Sequence, residues 1–178
     1  MWSKLISLII IFVMASETGS IFNFSEEAPI QNWRIVNDGV MGGLSKSSIQ
    51  LTAENHGKFS GIVSLENNGG FASVQLPTDI DLEKSNKVVV LRIKGDGKSY
   101  QCRLKGAKNQ SESYVQVFET NGEWQTIQLQ LKDFYPQFRG RKLDAPNFNF
   151  ERIEQFSFLI ANGKAENFEL LIDYIEIQ

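Results

Sequence analysis

Lys87 to Lys105 read K-V-V-V-L-R-I-K-G-D-G-K-S-Y-Q-C-R-L-K, two short β-rich runs on either side of Asp96-Gly97. In the first run Val89, Leu91 and Ile93 fall on one side, and Val88, Val90 and Arg92 on the other. A period of two is the mark of a strand with one face toward a core. Asp-Gly and Asn-Gly accept the positive φ that tight turns demand. The same punctuation recurs at Asn68-Gly69, between 58–65 and 71–76, and at Asn121-Gly122, between 113–119 and 124–131. It appears once more at Asn162-Gly163, between 153–161 and 168–177. Each pair of runs is predicted as a hairpin. Ile127, Leu129 and Leu131 alternate cleanly with Thr126, Gln128 and Gln130, and no stretch of a dozen residues after the N-terminus has helical periodicity. The chain is therefore expected to be all-β, an antiparallel β-sandwich or jelly roll, with a closed barrel as the architectural rival.

With 178 residues, 42% of them hydrophobic, the chain has enough apolar material for one domain with a real core. A net charge of −3 and the lack of any Lys/Arg run argue against a nucleic-acid partner. Cys102 is the only cysteine and His56 the only histidine, which excludes an internal disulfide and a structural zinc site. At the N-terminus Lys4 precedes the apolar run 5–14, and Ala15, Ser16, Gly19 and Ser20 follow. That order predicts a helical export signal over residues 1–20 and a single domain over 21–178; cleavage after Ala15 would place Val13 and Ala15 at the two sites that prefer small or compact side chains. The apolar run is too short for a stable membrane span, although an uncleaved signal would anchor the chain N-terminally. The first arginine is Arg34, so a mitochondrial transit peptide is not expected.

Trp33 to Ser45, W-R-I-V-N-D-G-V-M-G-G-L-S, is a shaped loop. Asn37 and Asp38 favour turns, and Gly39, Gly42 and Gly43 allow positive φ or close approach. Val40 and Met41 either plug the end of the sandwich or face a partner, so Asn37–Gly43 is the candidate partner-binding loop. A second candidate is an aromatic and basic surface. It comprises Trp33 together with Phe134, Tyr135, Phe138, Arg139 and Arg141 from 132–150, a stretch that reads as a long irregular connection with one helical turn. Tyr114 and Trp124 are further rings that could stack on sugars, whereas Phe71, Phe156 and Phe158 are expected in the core. Asp173, between Leu171 and Ile175 in L-L-I-D-Y-I-E-I, reads as a carboxylate on an apolar face, which needs donors or a cation such as Arg34. No nucleophile elbow, phosphate-binding glycine loop or metal-binding histidine pair occurs. His56 in N-H-G is expected at the surface and Cys102 as a packed thiol. A glycosidase-type carboxylate pair depends on a separation that only the fold sets. A non-catalytic protein without a cofactor is expected.

D-G-V-M-G-G-L-S at 38–45, F-S-G-I-V-S-L-E-N-N-G-G-F-A-S-V at 59–74 and R-I-K-G-D-G-K-S-Y at 92–100 resemble, in order and spacing, the complex I intermediate-associated protein 30 kDa family. The resemblance runs from about Ile21 to Gln178. It implies a galactose-binding-like jelly roll similar to carbohydrate-binding modules. Mitochondrial members are assembly chaperones for respiratory complex I, and plant members carry the domain in chloroplast proteins. A protein client is therefore the expected partner, with an exported carbohydrate-binding module as the alternative. The kinship to carbohydrate-binding sandwiches also makes Asp173 a candidate calcium ligand, although calcium takes six to eight oxygens.

Overall fold

Runs of alternating Val, Ile, Leu and Phe each have one apolar side to cover, and two sheets facing one another cover them all. The computed structural model describes residues 19–25 and 27–178, so 1–18 of the expected export signal lie outside the described residues. Gly19 and Ser20 already belong to the first strand, β1 (Gly19–Asn23). One sheet runs β3 (Lys46–Leu51), β4 (Gly57–Val63), β13 (Glu166–Ile177), β6 (Val88–Gly95), β9 (Trp124–Gln130), with β1 beside β13. The other runs β11 (Arg141–Lys142), β10 (Tyr135–Phe138), β8 (Ser113–Glu119), β7 (Ser99–Lys105), β12 (Arg152–Ile160), β5 (Ala72–Asp81), β2 (Arg34–Ile35). Every pairing is antiparallel.

The alternation holds where it is strongest. Val89, Leu91 and Ile93 of β6 face inward and meet Tyr100, Cys102 and Leu104 of β7 within one core, joined by Phe156, Phe158, Leu170 and Ile172. Two separate sheets carry this core, which removes the barrel. Among the described residues no helix is long and apolar enough to cross a membrane.

The four glycine turns are real, but none closes a hairpin. Each carries the chain from one sheet to the other: β4 to β5, β6 to β7, β8 to β9 and β12 to β13. The hairpin turn of type I′ needs positive φ at both central residues. At three of the turns only the glycine is left-handed, with φ of 80° at Gly97, 87° at Gly122 and 71° at Gly163. At the fourth, Asn67 and Asn68 take φ of 55° and 58° and Gly69 is extended. A two-residue hairpin does occur where none was expected, between β10 and β11, with Arg139 at φ 46° and Gly140 at 77°. Arginine is not a turn former, which is why 132–150 read as irregular. Its expected helical turn is the 3-10 turn Leu131–Asp133.

Asp173 is not on an apolar face. A bulge interrupts β13 between Ile172 and Tyr174, so Ile172 and Ile175 both face the core across three positions. The alternation resets at Asp173, which is left half-buried and outside that core. Among the described residues no group of His, Cys, Asp or Glu side chains is arranged to hold a metal, and Asp173 does not pair with Arg34.

Candidate functional site

Asp38 organises the loop between β2 and β3. Residues 38–41 wind into a single 3-10 turn that ends on Gly42 at φ 91°. The Asp38 side chain is wholly buried. Its Oδ1 accepts from the Ser45 amide (2.9 Å), and its Oδ2 from the amides of Gly70 (2.7 Å) and Phe71 (3.2 Å) and from the Ser45 hydroxyl. Ser45 Oγ in turn accepts from the Ser64 amide at 2.9 Å. Asn37 Oδ1 accepts from the Ser47 hydroxyl (2.8 Å) and the Ser73 amide (3.2 Å). One carboxylate thus ties 38–45 to the crossover at 69–71. A Cβ on Gly43 would run into that carboxylate, and one on Gly69 would lie 2.7 Å from Asp38 Oδ2. Burial by itself would raise the carboxyl pKa. The Ser45 hydroxyl and the amides of Gly70, Ser45 and Phe71 outweigh it and hold the group below its ordinary value.

Val40 and Met41 point outward, 72% and 56% exposed, and Leu44 beside them is exposed as well. The plug reading of these two side chains is therefore excluded. Gly39 leaves open space on the same turn. An apolar pair is held in water by a loop that has little freedom to fold it away.

The expected aromatic and basic surface divides. Trp33 is buried in the shared core, edge-on to Phe22 and stacked near Phe24 and Phe158. Phe134 is also fully buried, and Tyr114 packs against Phe148 and Phe150. Neither Trp33 nor Phe134 can stack on a ligand. The β10–β11 hairpin keeps the remainder together. The Lys142 ammonium lies 4.9 Å over half-buried Tyr135, and the Arg139 guanidinium 5.3 Å over exposed Phe138, with Arg141 exposed next to them. Trp124 is half-buried between Arg92 and His56, so His56 is not a free surface imidazole. Cys102 is buried in the core, and that burial pushes its thiol pKa well up, against any nucleophilic role.

Val40, Met41 and Arg139 come together at one groove. It has a volume of about 520 Å³ and lies on the outward face of the seven-stranded sheet. Its floor is polar: Gln101 and Arg103 of β7, Gln155 and Ser157 of β12, Gln137 of β10. A second groove of about 680 Å³ lies elsewhere and mixes the carboxylates Asp81, Glu83 and Glu151 with Lys84, Lys87 and Lys132. Arg152 engages Asp81 at 2.7 Å and Asp79 at 2.8 Å nearby. The sequence reading missed Ser45, Ser73, Gly70 and the outward row of β7. Alternation with buried Tyr100, Cys102 and Leu104 was the signal for that row.

This two-sheet jelly roll is the architecture of carbohydrate-binding modules. A family 11 carbohydrate-binding module from Clostridium thermocellum, solved with a β-1,3-1,4-mixed-linked tetrasaccharide, superposes with a TM-score of 0.64. It is 15% identical, over 90% of this chain and 94% of that one. The corresponding module of the cellulosomal cellulase Lic26A-Cel5E of Clostridium thermocellum gives 0.66 at 14% identity, over 92% and 95%. An agarase gives 0.60 at 16% identity, over 90% of this chain and 24% of that one. At such identities the likeness shows the fold. The Complex I intermediate-associated protein 30 (CIA30) family model matches residues 22–172, and the chain belongs to that family. No curated protein matches it.

Proposed function

We propose that the chain is a non-catalytic interaction module that docks a protein client on the Asn37–Gly43 loop, in the manner of an assembly factor. The observation that carries this reading is the outward Val40–Met41 pair on a loop pinned by buried Asp38. Adaptable methionine beside exposed apolar neighbours suits a docking surface, and a rigid loop loses little freedom on binding. Membership of a family described as complex I intermediate-associated supports a client of this kind. On the reading of residues 1–20 as an export signal, the domain over 21–178 works beyond the cytoplasmic membrane. The test is affinity purification from the native cell with the wild-type chain and with Val40→Ser/Met41→Ser. Loss of a specific partner from the double variant, with an unchanged unfolding curve, is expected. Retention of every partner would sink the idea.

A second reading is an exported carbohydrate-binding module, favoured by the polar groove on the seven-stranded sheet and by the modules that share the fold. Among the described residues Trp33 and Phe134 are buried and cannot form an aromatic platform for it. Retention on immobilised polysaccharides, reduced by Gln101→Ala/Gln155→Ala, is its expected result.

A further inference from the structure

The groove has an unbalanced charge that neither reading uses. Arg103, Lys105 and Arg139 line it, and no Asp or Glu does among the described residues, although the whole chain carries −3. Arg103 projects into it from β7, between β8 and β12. Its Nη1 donates to Gln101 Oε1 (2.8 Å) and Gln137 Oε1 (2.9 Å), which aim the guanidinium. It has no ion-pair partner among the described residues. A guanidinium has N–H donors on three nitrogens, and those on Nη2 and Nε have no protein acceptor among the described residues. Burial holds its pKa below the ordinary arginine value, while Tyr135 acts the other way. Lys105, on the same face, donates to the Gln110 carbonyl at 2.8 Å. Burial and repulsion by Arg103 lower its pKa, and Glu112 offsets them in part. Two partly desolvated cations side by side are costly unless an anion joins them.

The floor around them selects among anions. Strand register places Gln75, Ser157 and Arg103 in one row across β5, β12 and β7, with Gln155 and Lys105 in the next. The backbone groups of β7 and β12 are engaged in ladders on both sides, and β2 covers β5 at Val74 and Gln75, so no extended peptide can add itself to this floor by main-chain pairing. What the floor offers is amides and hydroxyls, each able to donate and accept, the complement of a polyhydroxylated ligand. Its volume suits a small-ligand site.

We propose that this groove binds an acidic oligosaccharide of the uronate class, its carboxylate on Arg103 and its hydroxyls on Gln75 and Gln155. A planar carboxylate matches the guanidinium fork, and Lys105 adds long-range attraction. The proposal rests on the carbohydrate reading and deepens it.

Calorimetric titration of the full chain decides it, with oligogalacturonate, oligomannuronate, methyl-esterified oligogalacturonate and a glutamate peptide as probes. Saturable binding of at least one uronate is expected, weakening as salt rises. Esterification and Arg103→Gln should each cost about ten- to a hundredfold in affinity. Equal binding of ester and acid overturns the acidic assignment and leaves the carbohydrate reading standing. Glutamate peptide binding as tightly as the uronates overturns the sugar class. No binding of either uronate overturns the proposal and leaves the client test on Val40 and Met41 untouched. Should Arg103→Gln fail to fold, the ester comparison on the wild-type chain still decides.

Discussion

Two aspartates each hold a crossing between the sheets, in opposite surroundings. Asp38 is wholly buried and accepts from neutral donors alone, the amides of Ser45, Gly70 and Phe71 and the Ser45 hydroxyl. Asp96, at the turn from β6 to β7, sits at the surface. It accepts from the Lys98 ammonium (2.5 Å), the Tyr100 hydroxyl (2.8 Å) and the Glu169 amide (3.0 Å). At the first site the buried Ser45 donors would be orphaned in the interior without the carboxylate, and the part-buried amides of Gly70 and Phe71 would lose their acceptor with them. At the second, water can replace most of what is lost, and the Tyr100 hydroxyl keeps the Glu169 carbonyl at 3.1 Å as an acceptor. Burial and then Asp96 push that phenol's pKa far up. The buried anchor fixes a loop that carries an exposed apolar pair, whereas the exposed anchor only closes a turn.

Asp38→Ala should show the largest effect, a loss of about 3–4 kcal/mol in urea unfolding, because the two buried Ser45 donors and the part-buried Gly70 and Phe71 amides lose their acceptor together. A loss below that of Asp96→Ala would break the contrast. Gly43→Ala should follow at about 2–3 kcal/mol, since the new methyl displaces the carboxylate it presses on. The same anchor predicts an acid limb. Asp38 has a lowered folded-state pKa, so its contribution is complete above the ordinary carboxylate pKa and is lost as pH falls through the lowered value. The stability gap between wild type and Asp38→Asn, measured by thermal unfolding, should therefore narrow below about pH 4. For Asp96→Ala about 1–1.5 kcal/mol is expected, partly exposed bonds being worth less. Val40→Ser/Met41→Ser should change stability by no more than about 0.5 kcal/mol, as surface residues do. A larger loss would mean that the pair supports the fold, and would remove the reason for assigning it to a client.

The same contrast marks how far the sequence could be read. Turns at Asn68-Gly69, Asp96-Gly97, Asn121-Gly122 and Asn162-Gly163 were legible as turns because a φ requirement is local. That they arch between sheets was not, because a turn says nothing about which distant strand will pair with its flanks. Trp33 and Phe134 resembled Tyr135 and Phe138 in sequence, and only packing into the shared core buries the first two. Asp173 was misplaced because one bulge shifts every later side chain on β13. The anchor at Asp38 was half visible: its loop stood out, but its donors at Gly70 and Phe71 lie more than thirty residues away.

By itself the sequence determined the all-β class, most strand positions and the place of the distinctive loop, since alternation and turn chemistry act between neighbouring residues. The tertiary structure alone decided that Val40 and Met41 face water, that Asp38 is the anchor, and that Arg103 stands on an open sheet face without a carboxylate among the described residues. Those outcomes depend on groups far apart in the chain, brought together when the apolar sides of the two sheets close on one core.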